Sequence, residues 1–319
     1  MRRRITLNHT VPYEASGQRF DQVTAQLFPQ FSRARLQLWI KSGEITLNGE
    51  AFKGNGKLVG GEAVNLDVEV QDEGDWQAEA IALDVVYEDD TILVVNKAAG
   101  MVVHPAAGNS EGTLLNALLH HSPQLAGIPR AGIVHRLDKD TTGLMVVAKT
   151  LEAQNHLVSQ LQAREVSRQY QAIVIGRVIT GGTINLPIGR DSKHRKKMAV
   201  SKTGEGKEAI THYEVAERFS YFTRLCIKLE TGRTHQIRVH MSHNRFPLVG
   251  DPAYGGGGKG LRSSVINEEV LEAVKAFPRQ ALHAEALSLI HPETLQPCQW
   301  QAPIPADMME LLTLMRCYD

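Results

Sequence analysis

Cysteine is scarce in this chain: Cys226, Cys298 and Cys317 lie far apart, and none stands in a C-x-x-C pair. That excludes a disulfide framework and a structural zinc knot, and it fits a reducing, cytoplasmic setting. Long apolar runs are missing too. No stretch of about 18 apolar residues offers a membrane span, and Arg2-Arg3-Arg4 runs into the alternating Ile5-Thr6-Leu7 where a secretory leader would carry its apolar core. Nor is there an excess of charge. Lys plus Arg and Asp plus Glu both number 35, so the formal net charge is zero. A strongly basic chain would suggest nucleic acid through its overall field; here such a partner must be met by local clusters and motifs. Tandem repeats and low-complexity tracts are also absent.

What is present is an ordinary globular composition, 42% hydrophobic and 22% charged over 319 residues. At about 100–200 residues per domain, two folded units are expected. Apolar spacing predicts a helix from Arg19 to Phe28, stopped by Pro29. A second follows, with Ser32 as N-cap, Leu36, Leu38, Trp39 and Ile40 on its buried side, and Gly43 as its stop. Ile45-Thr46-Leu47 enters the hairpin pair Asn48-Gly49, and residues 63–68 alternate as a strand. The acidic, aperiodic stretch 71–80 is the best place for a linker. Beyond it, buried-type strands at 92–96, 144–148, 170–175 and 224–229 mix with helices at 113–121, about 151–164 and 306–317. The class is α+β, with units at 16–75 and 85–319 joined by 76–84.

Three groups of residues carry chemistry. In the small unit, Arg33, Arg35, Lys41, Lys53 and Lys57 form either one cationic face for RNA phosphates or a solvated helix surface. In the large unit, the polar string His135-Arg136-Leu137-Asp138-Lys139-Asp140-Thr141-Thr142-Gly143-Leu144 lies between two apolar strands, where catalytic groups are commonly mounted. Taken alone it reads equally as a turn held by Asp and Thr side chains. A third, basic stretch holds Arg190, Lys193, His194, Arg195, Lys196, Lys197, Lys202 and Lys207 and suits phosphate contacts. His235, His240 and His243 do not suggest a metal, because on a strand 235 and 240 point to opposite faces.

Whole motifs extend this reading. Ser32-Arg33-Ala34-Arg35, Ile40-Lys41-Ser42-Gly43, Leu47-Asn48-Gly49 and Lys53, in that order, resemble an S4 RNA-binding domain. The Arg136–Leu144 string resembles the catalytic motif of the RluA-type RNA pseudouridine synthases. Four further segments resemble that family in the same order: Val94–Pro105, with Ala98 where proline is usual; Ser167-Arg168-Gln169-Tyr170; Glu230–His240; and Leu248–Gly255.

The resemblance implies a large mixed, mainly antiparallel sheet flanked by helices, behind a small S4-like domain. It implies isomerisation of uridine to pseudouridine, in a stem-loop of large-subunit (23S) ribosomal RNA, free or within precursor particles. Asp138 would be the essential carboxylate, and Arg238, or alternatively Arg233, its partner. Tyr170 would stack on the uracil, Leu137 and Ile237 would wall it in, and Arg136 would fill the space the flipped base leaves. The reaction is redox-neutral, so no cofactor or metal is expected, and a cytoplasmic monomer is. A non-catalytic RNA-binding assembly factor would explain the N-terminal unit but leave the Asp138 loop without a purpose.

Overall fold

The computed structural model describes residues 2–29, 31, 33–71, 76–105, 111–191, 194, 197–201, 206–255 and 266–319. The chain divides into two compact units, 1–75 and 76–319.

The first unit holds β1 (Arg2–Thr10), α1 (Phe20–Leu27), α2 (Arg33–Ser42), β2 (Ile45–Leu47), β3 (Glu50–Ala51) and β4 (Ala63–Gln71). Its sheet has the order β1-β4-β2-β3. Asn48 and Gly49 both take positive φ, 51° and 83°, as the tight β2–β3 turn requires. Phe20, Val23, Leu36, Trp39, Ile40 and Leu66 form the core between helices and sheet. Two expectations are corrected here. Leu38 is 62% exposed, because the buried stripe follows 36, 39 and 40, the i, i+3, i+4 spacing of a helix, and 38 falls opposite it. The unit also begins before residue 16: β1 pairs with β4 along its full length, and Ile5 and Leu7 pack on the core.

The second unit holds β5 (Val85–Glu88), β6 (Ile92–Lys97), α3 (Leu114–His121), β7 (Thr142–Ala148), α4 (Leu151–Ala163), β8 (Ser167–Ile175), β9 (Gly182–Asn185), β10 (Ile188–Arg190), β11 (Met198–Val200), β12 (Ile210–Arg218), β13 (Phe222–Leu229), α5 (Gln236–His243), α6 (Glu268–Ala276), β14 (Leu282–Ile290), β15 (Pro297–Gln301) and α7 (Ala306–Cys317). The large sheet runs β5-β6-β7-β14-β8-β13-β12-β9, with β15 also on β14. Among the described residues every pairing in it is antiparallel except β7–β14. Helices cover both faces, which is why the central strands read as unbroken apolar runs. Leu93, Val95, Met145, Val147 and Tyr170 share a buried cluster with α3 on one face; Ile92, Val94, Leu144 and Val146 share one with α4 on the other, and Ile173 shares one with α6 and α7 there.

Segment 76–84, expected as a linker, is instead strapped to the large unit. Trp76 and Leu83 pack on its core, Asn116 Nδ2 donates to the Gln77 carbonyl at 2.8 Å, and the Glu79 carboxylate accepts from Gly112 N–H at 3.0 Å. The strand expected around 235–240 is helical: α5 starts after His235, which takes φ 57°. Gln236 explains the switch. Its Oε1 accepts from Arg233 N–H at 3.0 Å and Thr231 Oγ1 at 2.8 Å, meeting helix-entry donors that a strand would pair differently.

Candidate active site

The Asp138 loop is gripped from several sides before it joins β7. Thr141 N–H donates to the Asp138 carbonyl at 3.1 Å, closing a tight turn. Lys97, only 2% exposed, aims its ammonium at three carbonyls: Ala98 at 2.7 Å, Lys139 at 2.8 Å and Met101 at 3.0 Å. Burial pulls Lys97 down to about 8, with Asp140 and Asp138 opposing. Gln280 Nε2 donates to Thr141 Oγ1 at 3.0 Å, and Arg279 Nη1 to the Asp140 carbonyl at 3.3 Å. Gly143 lies against β14 so closely, at φ 113°, that a Cβ there would sit 2.2 Å from the Ala284 oxygen. Only glycine fits.

Asp138 projects from this frame into a cavity of about 580 Å³. Its Oδ2 accepts from Arg238 Nη1 at 3.0 Å. Arg238 is held on its other edge by the fully buried Asp251, Nε to Oδ2 at 2.7 Å and Nη2 to Oδ1 at 2.9 Å. Asp251 is itself fixed by Ala253 and Tyr254 N–H groups at 2.9 and 3.1 Å. The result is a carboxylate–guanidinium–carboxylate chain in which the bidentate member is buried and the single bond reaches the cavity. Burial works against the Arg238 charge, but Asp251 and then Asp138 outweigh it and raise the guanidinium above its ordinary value.

His235 Nε2 stands 3.9 Å from Asp138 Oδ1, and its Nδ1 lies 2.9 Å from the Tyr254 hydroxyl. Burial lowers His235 more than Asp138 raises it. The Tyr254 ring lies 5.2 Å under the Arg238 guanidinium, and its hydroxyl accepts from Met198 N–H at 2.9 Å.

Tyr170, Leu137 and Ile237, all buried, line the same cavity, and the exposed Arg136 and Arg233 line it as well. Of the two candidate partners, Arg238 meets Asp138, whereas Arg233 Nε donates to the Glu208 carbonyl at 2.9 Å. His135 Nε2 accepts Val146 N–H at 3.1 Å, a structural bond, and burial takes it down to about 3, so it stays neutral.

The basic groups fare unevenly. Arg33, Lys41 and Lys53 are exposed, and the last two line one groove of the small unit. Arg35 rests 5.6 Å over the Trp39 ring. Arg195 and Lys196 lie outside the described residues, as do Lys193, Lys202 and Ser32. Lys197 is turned inward, its ammonium donating to the Ala253 carbonyl and 5.9 Å from the Tyr254 ring; that correction follows from the pull of a carbonyl and an aromatic face on a long cation. Sequence reasoning missed Asp251, Tyr254 and Lys97. The signal lay in Gly250-Asp251-Pro252, an aspartate needing a cation inside an apolar neighbourhood. Among the described residues, no cluster of three or more His, Cys, Asp or Glu could hold a metal ion.

A mixed sheet thus carries an arginine-held aspartate and a buried tyrosine in one cavity with an arginine rim. A family model described as RNA pseudouridylate synthase matches residues 91–243. Ribosomal large subunit pseudouridine synthase D of Pseudomonas aeruginosa is 56% identical over 306 residues, covering 96% of this chain and 94% of that protein. The protein of the same description from Vibrio parahaemolyticus is 51% identical, covering 99% and 96%. The solved structure of human RNA pseudouridylate synthase domain containing 4 shares the fold at a TM-score of 0.57 and 23% identity, over 73% of this chain and 92% of that one. The chain belongs to the RNA pseudouridylate synthase family. No helix of the described residues is long and apolar enough to cross a membrane.

Proposed function

We propose that this chain isomerises uridine to pseudouridine at specific sites in a stem-loop of large-subunit ribosomal RNA, with Asp138 as its catalytic carboxylate. The observation that carries the chemistry is the 3.0 Å bond from Arg238 to Asp138 at the cavity wall. The RNA target follows from the identity to relatives described as acting on the ribosomal large subunit.

The groups have distinct tasks. A paired base is out of reach of a carboxylate inside a cavity, so the uridine must flip out of its helix. Arg136, at the exposed mouth, fills the space left behind. Tyr170 stacks on the ring, an interaction of about 1–3 kcal/mol per base, while Leu137 and Ile237 close its edges. Arg238 fixes Asp138 in direction through a charge-assisted bond at the cavity wall. His235, whose charged form burial disfavours, stands 3.9 Å from Asp138 Oδ1 and helps wall the site. The small S4-like unit docks on folded RNA through Arg33, Lys41 and Lys53, and one copy of the chain suffices in the cytoplasm, on free or particle-bound RNA.

Mapping pseudouridines in ribosomal RNA from cells lacking the gene tests the target. Specific large-subunit sites should disappear and return when this chain is supplied. An unchanged large-subunit map, or losses confined to transfer RNA, would contradict the assignment.

A further inference from the structure

Arg168 has no part in the chemistry described so far, yet it lines the same cavity. It stands two residues before Tyr170 on β8, so both side chains leave the same face of that strand. Arg130, Arg136, Arg164 and Arg233 are exposed at the rim, whereas two arginines of the lining are buried: Arg238, which Asp251 and Asp138 compensate, and Arg168, only 8% exposed. Its Nη2 makes one long bond, 3.3 Å, to the Glu230 carbonyl, and its Nε is buried with no partner. No carboxylate pairs with it among the described residues. An arginine cannot escape burial by losing its proton. The chain also leaves room for it: a Cβ on Gly232 would lie 2.7 Å from Arg168 Nη1. A buried, under-partnered cation beside the stacking tyrosine calls for an acceptor that arrives with the substrate.

We propose that Arg168 is a further catalytic residue, donating to a carbonyl oxygen of the flipped uracil and stabilising the negative charge that the ring carries while detached from ribose. This rests on the uridine-isomerising reading above. The reaction breaks the bond from C1′ to N1 with its electron pair kept by N1, forms a bond from C1′ to C5, and moves the C5 proton to N1. Atoms and electrons balance with no co-reactant. Between the two bonding events the ring is a uracil anion whose charge spreads onto O2 and O4, and a preplaced guanidinium acts on charge that develops there. A phosphate is the less suitable acceptor, because the backbone of a flipped nucleotide passes the exposed rim arginines and the buried floor meets the base.

The test uses the full chain and an RNA stem-loop whose target is uridine, 2-thiouridine or 4-thiouridine, sulfur being the weaker acceptor. Single-turnover rates and RNA affinity are measured for wild type, Arg168→Gln and Arg168→Lys. Arg168→Gln should slow conversion of uridine by about 10²–10³-fold with affinity and its salt dependence unchanged, and Arg168→Lys should recover part of the rate. One thio substitution should slow the wild type and cost Arg168→Gln little more. Sulfur effects of equal size in both proteins, or no sulfur effect in the wild type, overturn the proposal; the wild-type comparison holds even if the variants fold poorly. Weaker binding with a shallower salt dependence at an unchanged rate also overturns it, in favour of a phosphate contact. A wild type inactive on the uridine substrate overturns the function reading and Arg168's role with it.

Discussion

Arg238 joins two carboxylates of different standing. Asp251 is fully buried and accepts four hydrogen bonds, whereas Asp138 takes one and faces the cavity. Removing the buried charge should therefore reach Asp138. Asp251→Asn leaves Arg238 compensated from the cavity side alone. It should lower stability by about 3–5 kcal/mol and reduce kcat well beyond any change in KM, read by denaturant unfolding and steady-state assays; unchanged values for both would contradict the linkage. Asp138, Tyr170 and Arg238 took their expected roles from the motifs that hold them, and the structure brings all three to one cavity. Asp251 lies in such a motif too, but its pairing with Arg238 was not legible. Its role depends on α5 turning Arg238 back toward a loop 13 residues away, a turn hidden by the β-branched Ile237 and Val239.

At the scale of elements, the one parallel strand pairing of the large sheet among the described residues, β7 with β14, joins the Asp138 loop to the C-terminal part of the sheet. Gly143 permits that approach. Gly143→Ala should cost at least about 2 kcal/mol and lower activity by shifting the Asp138 turn; a variant with wild-type melting temperature and rate would show that the contact is not needed. Helix α2 teaches a related lesson. Its existence follows from apolar content, but assigning Leu38 to the interior ignored the angular spacing that leaves it exposed. Segment 76–84 looked like a linker because it overlaps the acidic, aperiodic stretch 71–80, while its bonds to α3 and to Gly112 are long-range.

For the molecule as a whole, acid should weaken the large unit through His135. Burial sets its native value at about 3 against an ordinary 6.5. Below pH 6.5 the unfolded chain takes up a proton that the native state refuses. The contribution is thus complete above 6.5 and is lost as pH falls toward 3. Unfolding of wild type and His135→Gln from pH 7 to 4 should show a steeper decline in the wild type, and parallel curves would contradict this. The two-unit division was readable from composition and motif order, and Ile5-Thr6-Leu7 alternates as a strand, but its pairing with β4 was not legible, since a strand's partner lies outside its own sequence. Neutralising Arg33, Lys41 and Lys53 together should leave kcat intact. The log–log salt slope of RNA binding should become shallower by about 0.7–0.9 for each lost phosphate contact, and an unchanged slope would mean that this face does not meet RNA.

The central claim is that Asp138 carries the isomerisation. Large-subunit ribosomal RNA bearing tritium at uracil C5 releases tritium when C5 becomes bonded to ribose. Wild type should release it in proportion to the sites converted, and Asp138→Asn, folded and still binding RNA, should release none above background. Release by the variant at a rate near that of the wild type would contradict the account.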